Sequence, residues 1–150
     1  MGQHPYPYTR KLAFRYTFVS KGKARIEKLV VFAPTPVRNI FNLGFGDLLD
    51  DGTIDDTANS NNGDLVKVLA TVIQILKEFT REYPYAKVVF SGSTPARTAL
   101  YRRILKVYYP TFSNEFIISA LIDVSTGYRE VPFDPSANEK YLAFFVQRIN

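Results

Sequence analysis

The residues of this chain best placed to do chemistry lie in the run Gly92-Ser93-Thr94-Pro95-Ala96-Arg97, which follows a short apolar stretch. Thr94 is a good helix N-cap and Pro95 suits the first helical position, so the chain is expected to reverse here from strand into helix. Backbone N–H groups at a helix start attract anions. Gly92 permits close approach, Ser93 and Thr94 add hydroxyls, and Arg97 can clamp a phosphate or carboxylate through two parallel hydrogen bonds. Gly92, Ser93, Thr94 and Arg97 are therefore the candidate anion-binding residues, with Asp64 and Tyr101 as candidate walls of a pocket. The run lacks the Gly and Lys spacing of a P-loop.

A second group is acidic: Asp47, Asp50, Asp51, Asp55, Asp56 and Asp64 fall in one stretch with no basic residue. Oxygen-rich loops suit Ca²⁺ or Mg²⁺. The EF-hand spacing and its distal Glu are missing, so the stretch reads as a solvated loop with helix capping, and no metal site is expected. Cysteine is absent, which rules out disulfides, thiolate zinc sites and a cysteine nucleophile. His4 is the sole histidine and lies near the start of the chain, so a His-based triad or His metal cluster has no material. Acid–base work would fall to Asp, Glu, Tyr or Lys. No cofactor is implied.

The net charge is +5. Residues 1–46 and 65–110 are strongly basic, and the acidic stretch interrupts them. Such a body favours anionic partners through long-range attraction. Lys21, Lys23, Arg25, Arg97, Arg102, Arg103 and Lys106 would make a phosphate-tracking patch if they shared a face. No apolar run approaches the roughly 20 residues that span a bilayer, and the polar start holds no signal core. The expected compartment is the cytoplasm.

The elements that must position these groups follow from periodicity. Residues 12–19, 25–33 and 38–46 read as strands joined by short connections, hence a three-stranded antiparallel meander. Residues 47–63 are loop. Leu65, Val68, Leu69, Val72, Leu76 and Phe79 form one apolar helical face, with Asn61 or Asn62 as cap and Pro84 as stop. Residues 86–91 read as a buried strand. A second helix runs from Thr94 to about Tyr108 and closes at Pro110, with Ala96, Leu100, Tyr101, Ile104 and Tyr108 inward. Residues 115–124, 128–133 and 141–148 read as strands. The expected fold is α+β: the meander, then α-β-α-β-β, in one mixed sheet packed by two helices. Residues 1–10 are expected to be a flexible N-terminus and residues 11–150 a single domain.

Several stretches together resemble an uncharacterised bacterial family, a domain of unknown function. They are Phe41-Asn42-Leu43-Gly44-Phe45-Gly46-Asp47, Ser60-Asn61-Asn62-Gly63-Asp64, Val68-Leu69-Ala70-Thr71-Val72, Gly92 to Thr98 with Leu100-Tyr101, Val131-Pro132-Phe133, and Tyr141 to Val146. The resemblance spans nearly the whole chain and implies no activity or catalytic residue. At the level of fold alone, the element order is similar to the core of the N-acetyltransferase superfamily, and residues 93–101 echo its strand-following helix. The Gly-rich pyrophosphate loop of that superfamily is missing, and residues 60–64 stand in its place with one Gly and an Asp that would repel phosphate. The first half also resembles the ribonuclease H fold, with Asp64 at the helix acid and Ser20 and Gly92 where further acids are expected.

Two functions of different class follow as expectations. One is a non-enzymatic binding module for an anionic partner, either nucleic acid or an acidic protein. The other is an atypical acyl- or nucleotide-ligand enzyme with an N-acetyltransferase-like core, acting at the Gly92–Arg97 turn. Exposed aromatic strand edges also leave room for a homo-oligomer.

Overall fold

The computed structural model describes residues 4–12, 14–55, 63–92 and 94–149. The chain runs β1 (Tyr8–Leu12), β2 (Arg15–Lys21), β3 (Arg25–Pro34), β4 (Ile40–Leu48), β5 (Ile54–Asp55), α1 (Leu65–Glu82), β6 (Lys87–Phe90), α2 (Pro95–Phe112), β7 (Phe116–Val124), β8 (Gly127–Pro132) and β9 (Ala143–Arg148). This is the α+β fold expected, with one mixed sheet packed by two helices. The strand order is β1-β2-β3-β4-β6-β9-β7-β8, and the short β5 pairs with β4.

The meander β2-β3-β4 is antiparallel throughout. β4 and β6 then lie parallel, with α1 as the crossover between them. β9 enters last and pairs antiparallel with both β6 and β7. α1 owes its existence to its apolar stripe, and Val68, Val72, Ile75, Leu76 and Phe79 are buried. Phe79 stacks face to face on Phe32 at 4.0 Å and meets Phe41 edge-on at 5.2 Å. Arg148 at the end of β9 donates to the Lys77 carbonyl at 3.0 Å and to Thr80 Oγ1 at 3.1 Å, tying the sheet centre to α1.

Both helices lie on one face of the sheet. Leu43, Phe45 and Phe90 form a floor on which residues of α1 and α2 stand together. Alternation along β7 shows the two faces: Phe116 and Ile118 are buried, whereas Ile117 between them is exposed.

Local readings change, among them the stretch 47–63 expected to be loop, which holds the end of β4 and the short β5. The stretch expected to be a flexible N-terminus contributes an edge strand, β1, and a buried Tyr6 whose backbone N–H donates to Thr71 Oγ1 at 2.9 Å. The strand expected over 12–19 starts at Arg15, because the chain turns at Phe14 to set that ring against Phe41, Phe79 and Tyr83. α2 does not close at Pro110 but continues through it to Phe112. The missing amide costs one hydrogen bond near the helix end, and the extra turn buries Phe112 and stacks it on Phe116 at 4.4 Å.

Candidate functional site

β4 and β6 pair only through Ile40–Lys87, Phe41–Val88 and Asn42–Val89. Beyond this, β4 continues along β3 and meets β5 at Asp47 and Leu48. β6 ends at Phe90, because Ser91-Gly92 and the Thr94-Pro95 cap turn the chain into α2. Among the described residues, no strand pairs with that side of residues 43–46. The sheet is thus open between two parallel strands at their carboxyl ends.

The opening is a cleft of about 170 Å³ lined by residues 42–45 of β4, residues 90–92, Arg97 and Tyr101. The Tyr101 ring wedges above the gap, with its centroid 5.8 Å from that of Phe45 on β4 and 6.1 Å from that of Phe90 on β6. Three of the residues proposed from sequence, Gly92, Arg97 and Tyr101, therefore meet in one place. Asn42, Leu43, Gly44 and Phe45 join them and were not expected there. Gly44 and Gly46 near the end of a strand were the available signal, since strand glycines mark bends and close approach of another group.

The turn itself differs from the anion nest that the sequence suggests. Thr94 caps α2 as expected, its Oγ1 accepting from the Arg97 N–H at 3.2 Å. The Thr98 N–H is bound by the Thr94 carbonyl at 3.1 Å, and the Gly92 N–H donates to Thr98 Oγ1 at 3.0 Å. Of the amides at this helix start, that of Arg97 is taken by the cap, and Arg97 itself lines the cleft. Gly92 does allow a close approach, but the group that approaches is α2. A Cβ at position 92 would stand 2.5 Å from the Thr98 nitrogen and 2.7 Å from the Arg97 carbonyl carbon. Ser93, and the caps Asn61 and Asn62, lie outside the described residues.

Asp64 is not a wall of this cleft. It precedes α1 and makes no side-chain cap bond there. Its Oδ2 accepts from Tyr6 Oη and from Ser20 Oγ, both at 2.5 Å, while Tyr6 Oη accepts from the Lys21 N–H at 2.8 Å. Burial, followed by the Asp64 hydrogen bond, raises the Tyr6 phenol above its ordinary range. The carboxylate pins the N-terminal segment and β2 to the start of α1. The helix starts stand over different strands, so closeness in the element order did not become closeness in space.

The other described acids of the acidic stretch lie on the hairpin of β4 and β5, where Asp47 stands opposite Asp55. Asp47 pairs with the buried Lys28 across β3 and β4. Asp51 accepts from Thr53 Oγ1 at 2.6 Å and from the Thr53 N–H at 3.0 Å, which holds its carboxyl below the usual range. Asp56 and the side chain of Asp55 lie outside the described residues. Of the basic residues, Arg102 donates to the Ala137 carbonyl and lies 5.7 Å above the Tyr141 ring. Lys21 ends β2 and Arg25 begins β3, so both are separated from β6 by β4. His4 is exposed, and no described helix is long and apolar enough to cross a membrane.

Comparison with protein families places the chain. It belongs to the family of unknown function DUF6934, whose model matches residues 2–149. No curated protein and no solved structure matches it.

Proposed function

Starting from membership of a family without an assigned activity, we propose that this protein binds a small acyl- or nucleotide-type anion in the cleft between β4 and β6. Arg97 meets the negative charge, and Tyr101 covers the part of the ligand that enters the gap. The observation that carries this reading is the break in strand pairing at residues 43–46, beside the carboxyl end of β6. Ligands of open α/β sheets bind outside the carboxyl ends of parallel strands. Sheet backbone without a strand partner needs another hydrogen-bonding group or water. The element order similar to the N-acetyltransferase core points the same way, as analogy. The cysteine-free chain fits the cytoplasm, the compartment we infer.

The reading as a module for nucleic acid or an acidic protein has less support. It needs the basic residues on one face, and Arg102 is committed to Ala137 and Tyr141 while Lys21 and Arg25 are separated from β6 by β4.

Thermal unfolding with a panel of acyl-coenzyme A, nucleotides and simple carboxylates tests the proposal. A ligand at 100 times its Kd stabilises by about 2.7 kcal/mol. At about 2–4 °C per kcal/mol this raises Tm by roughly 5–11 °C. Arg97→Ala should remove most of the rise. Silence across the panel, together with salt-sensitive binding of random oligonucleotides by wild type and Arg97→Ala alike, would favour the macromolecular reading instead.

A further inference from the structure

Resting on that cleft, we infer that its ligand is a short-chain aliphatic carboxylate or acyl group, whose hydrocarbon tail runs from Arg97 down between the two helices. Below the cleft lies a crevice of about 60 Å³. The two spaces share Leu43, Phe45, Phe90 and Tyr101 as walls, so they adjoin one another. Farther in, the walls are aliphatic and aromatic, with Ile73 from α1 and Ile104 from α2 facing the same space.

Charge and size choose the occupant. Arg97 lines the mouth, and its positive charge favours a carboxylate or an acyl carrier with a negative charge nearby. The interior offers an apolar wall, and cavities of that kind stay dry and accept hydrocarbon. A nucleobase would bring edge donors and acceptors that such walls leave unmet. A volume of 60 Å³ is about two water volumes, enough for a tail of roughly two to three carbons. Each buried methylene contributes about 0.8 kcal/mol, so affinity should rise about fourfold per carbon until the crevice is full.

The experiment is calorimetric or NMR titration of acetate, propionate, butyrate, hexanoate and octanoate. Wild type should show the fourfold steps from acetate to butyrate and then a plateau. Ile73→Trp fills the crevice from α1 and should flatten the series. Ile104→Phe does so from α2 and serves if the first variant does not fold by circular dichroism. An affinity independent of chain length in wild type overturns the tail while leaving the cleft. A series that keeps its steps in both filled variants overturns it as well. If wild type binds none of the acids, and no acyl-coenzyme A or nucleotide either, the cleft reading and the tail fall together.

Discussion

Replacing Gly92 with alanine tests how tightly β6 and α2 are joined at the cleft. Gly92 lies outside the left-handed region that favours glycine. On backbone grounds alone, Gly92→Ala would therefore stabilise by about 0.4–1 kcal/mol, through a less flexible unfolded chain. The structure predicts the opposite sign. The new methyl would sit 2.5 Å from the Thr98 nitrogen, where ordinary contact begins near 3.4 Å, so the first turn of α2 must retreat by about 0.9 Å. The obstacle is helix backbone, anchored by the Thr94 cap and by the Gly92–Thr98 bond. Overpacking of this kind costs about 1–3 kcal/mol. The net loss is about 1–2 kcal/mol, or roughly 2–8 °C in Tm at the 2–4 °C per kcal/mol that suits this size. Urea denaturation and a thermal scan measure it. Gly44→Ala is the control, since its methyl meets only Ile54 Cδ1 at 4.0 Å, and it should leave stability unchanged or slightly raised. A Gly92→Ala protein as stable as wild type, or more so, would refute the tight junction and with it the position given to Arg97.

Two further predictions concern the core. Tyr16 is fully buried and its hydroxyl finds no partner among the described residues, so Tyr16→Phe should stabilise by about 1 kcal/mol in urea at neutral pH. Burial pushes the Tyr16 and Tyr8 phenols up to about 12, above the ordinary 10. Their contribution is thus complete below pH 10 and is lost between about pH 10 and 12, as the unfolded chain ionises first. Tyr16→Phe should make that alkaline loss shallower, and an unchanged pH profile would contradict the assignment. Phe79→Ala removes the ring that Phe32, Phe41, Phe14 and Tyr83 all contact, and should cost about 3–5 kcal/mol by denaturant melting. A cost below 1 kcal/mol would mean that the cluster refills the space.

The parts of the fold that were legible are those written in local patterns. The i, i+3, i+4 stripe announced α1, alternation announced β9, and Thr94-Pro95 announced the start of α2. What escaped was decided by distant partners. β1 is a polar edge strand held by β2, with Arg10 paired to Glu82 on α1. Pro110 is a local stop signal overruled by the burial of Phe112. On α2 the expected Tyr101, Ile104 and Tyr108 do face inward, but Ala96 is exposed and Thr98, Leu105 and Phe112 are the buried residues. At the candidate site, the turn and its arginine were readable. The opposite wall was not, because no spacing within one segment tells that β4 will lie parallel to β6 and then part from it.

The placement of β9 bears on how the molecule is made. Both strands that flank it come earlier in the chain, so without β9 the sheet would be two parts with bare inner margins. Pairing such as Val89 with Phe145 and Ser119 with Phe145 works as a keystone, set last and at the centre. A cut ahead of Ala143 would therefore not trim an edge but leave two halves with nothing between them. Slow, late-closing assembly is the expected signature of contacts so far apart in sequence.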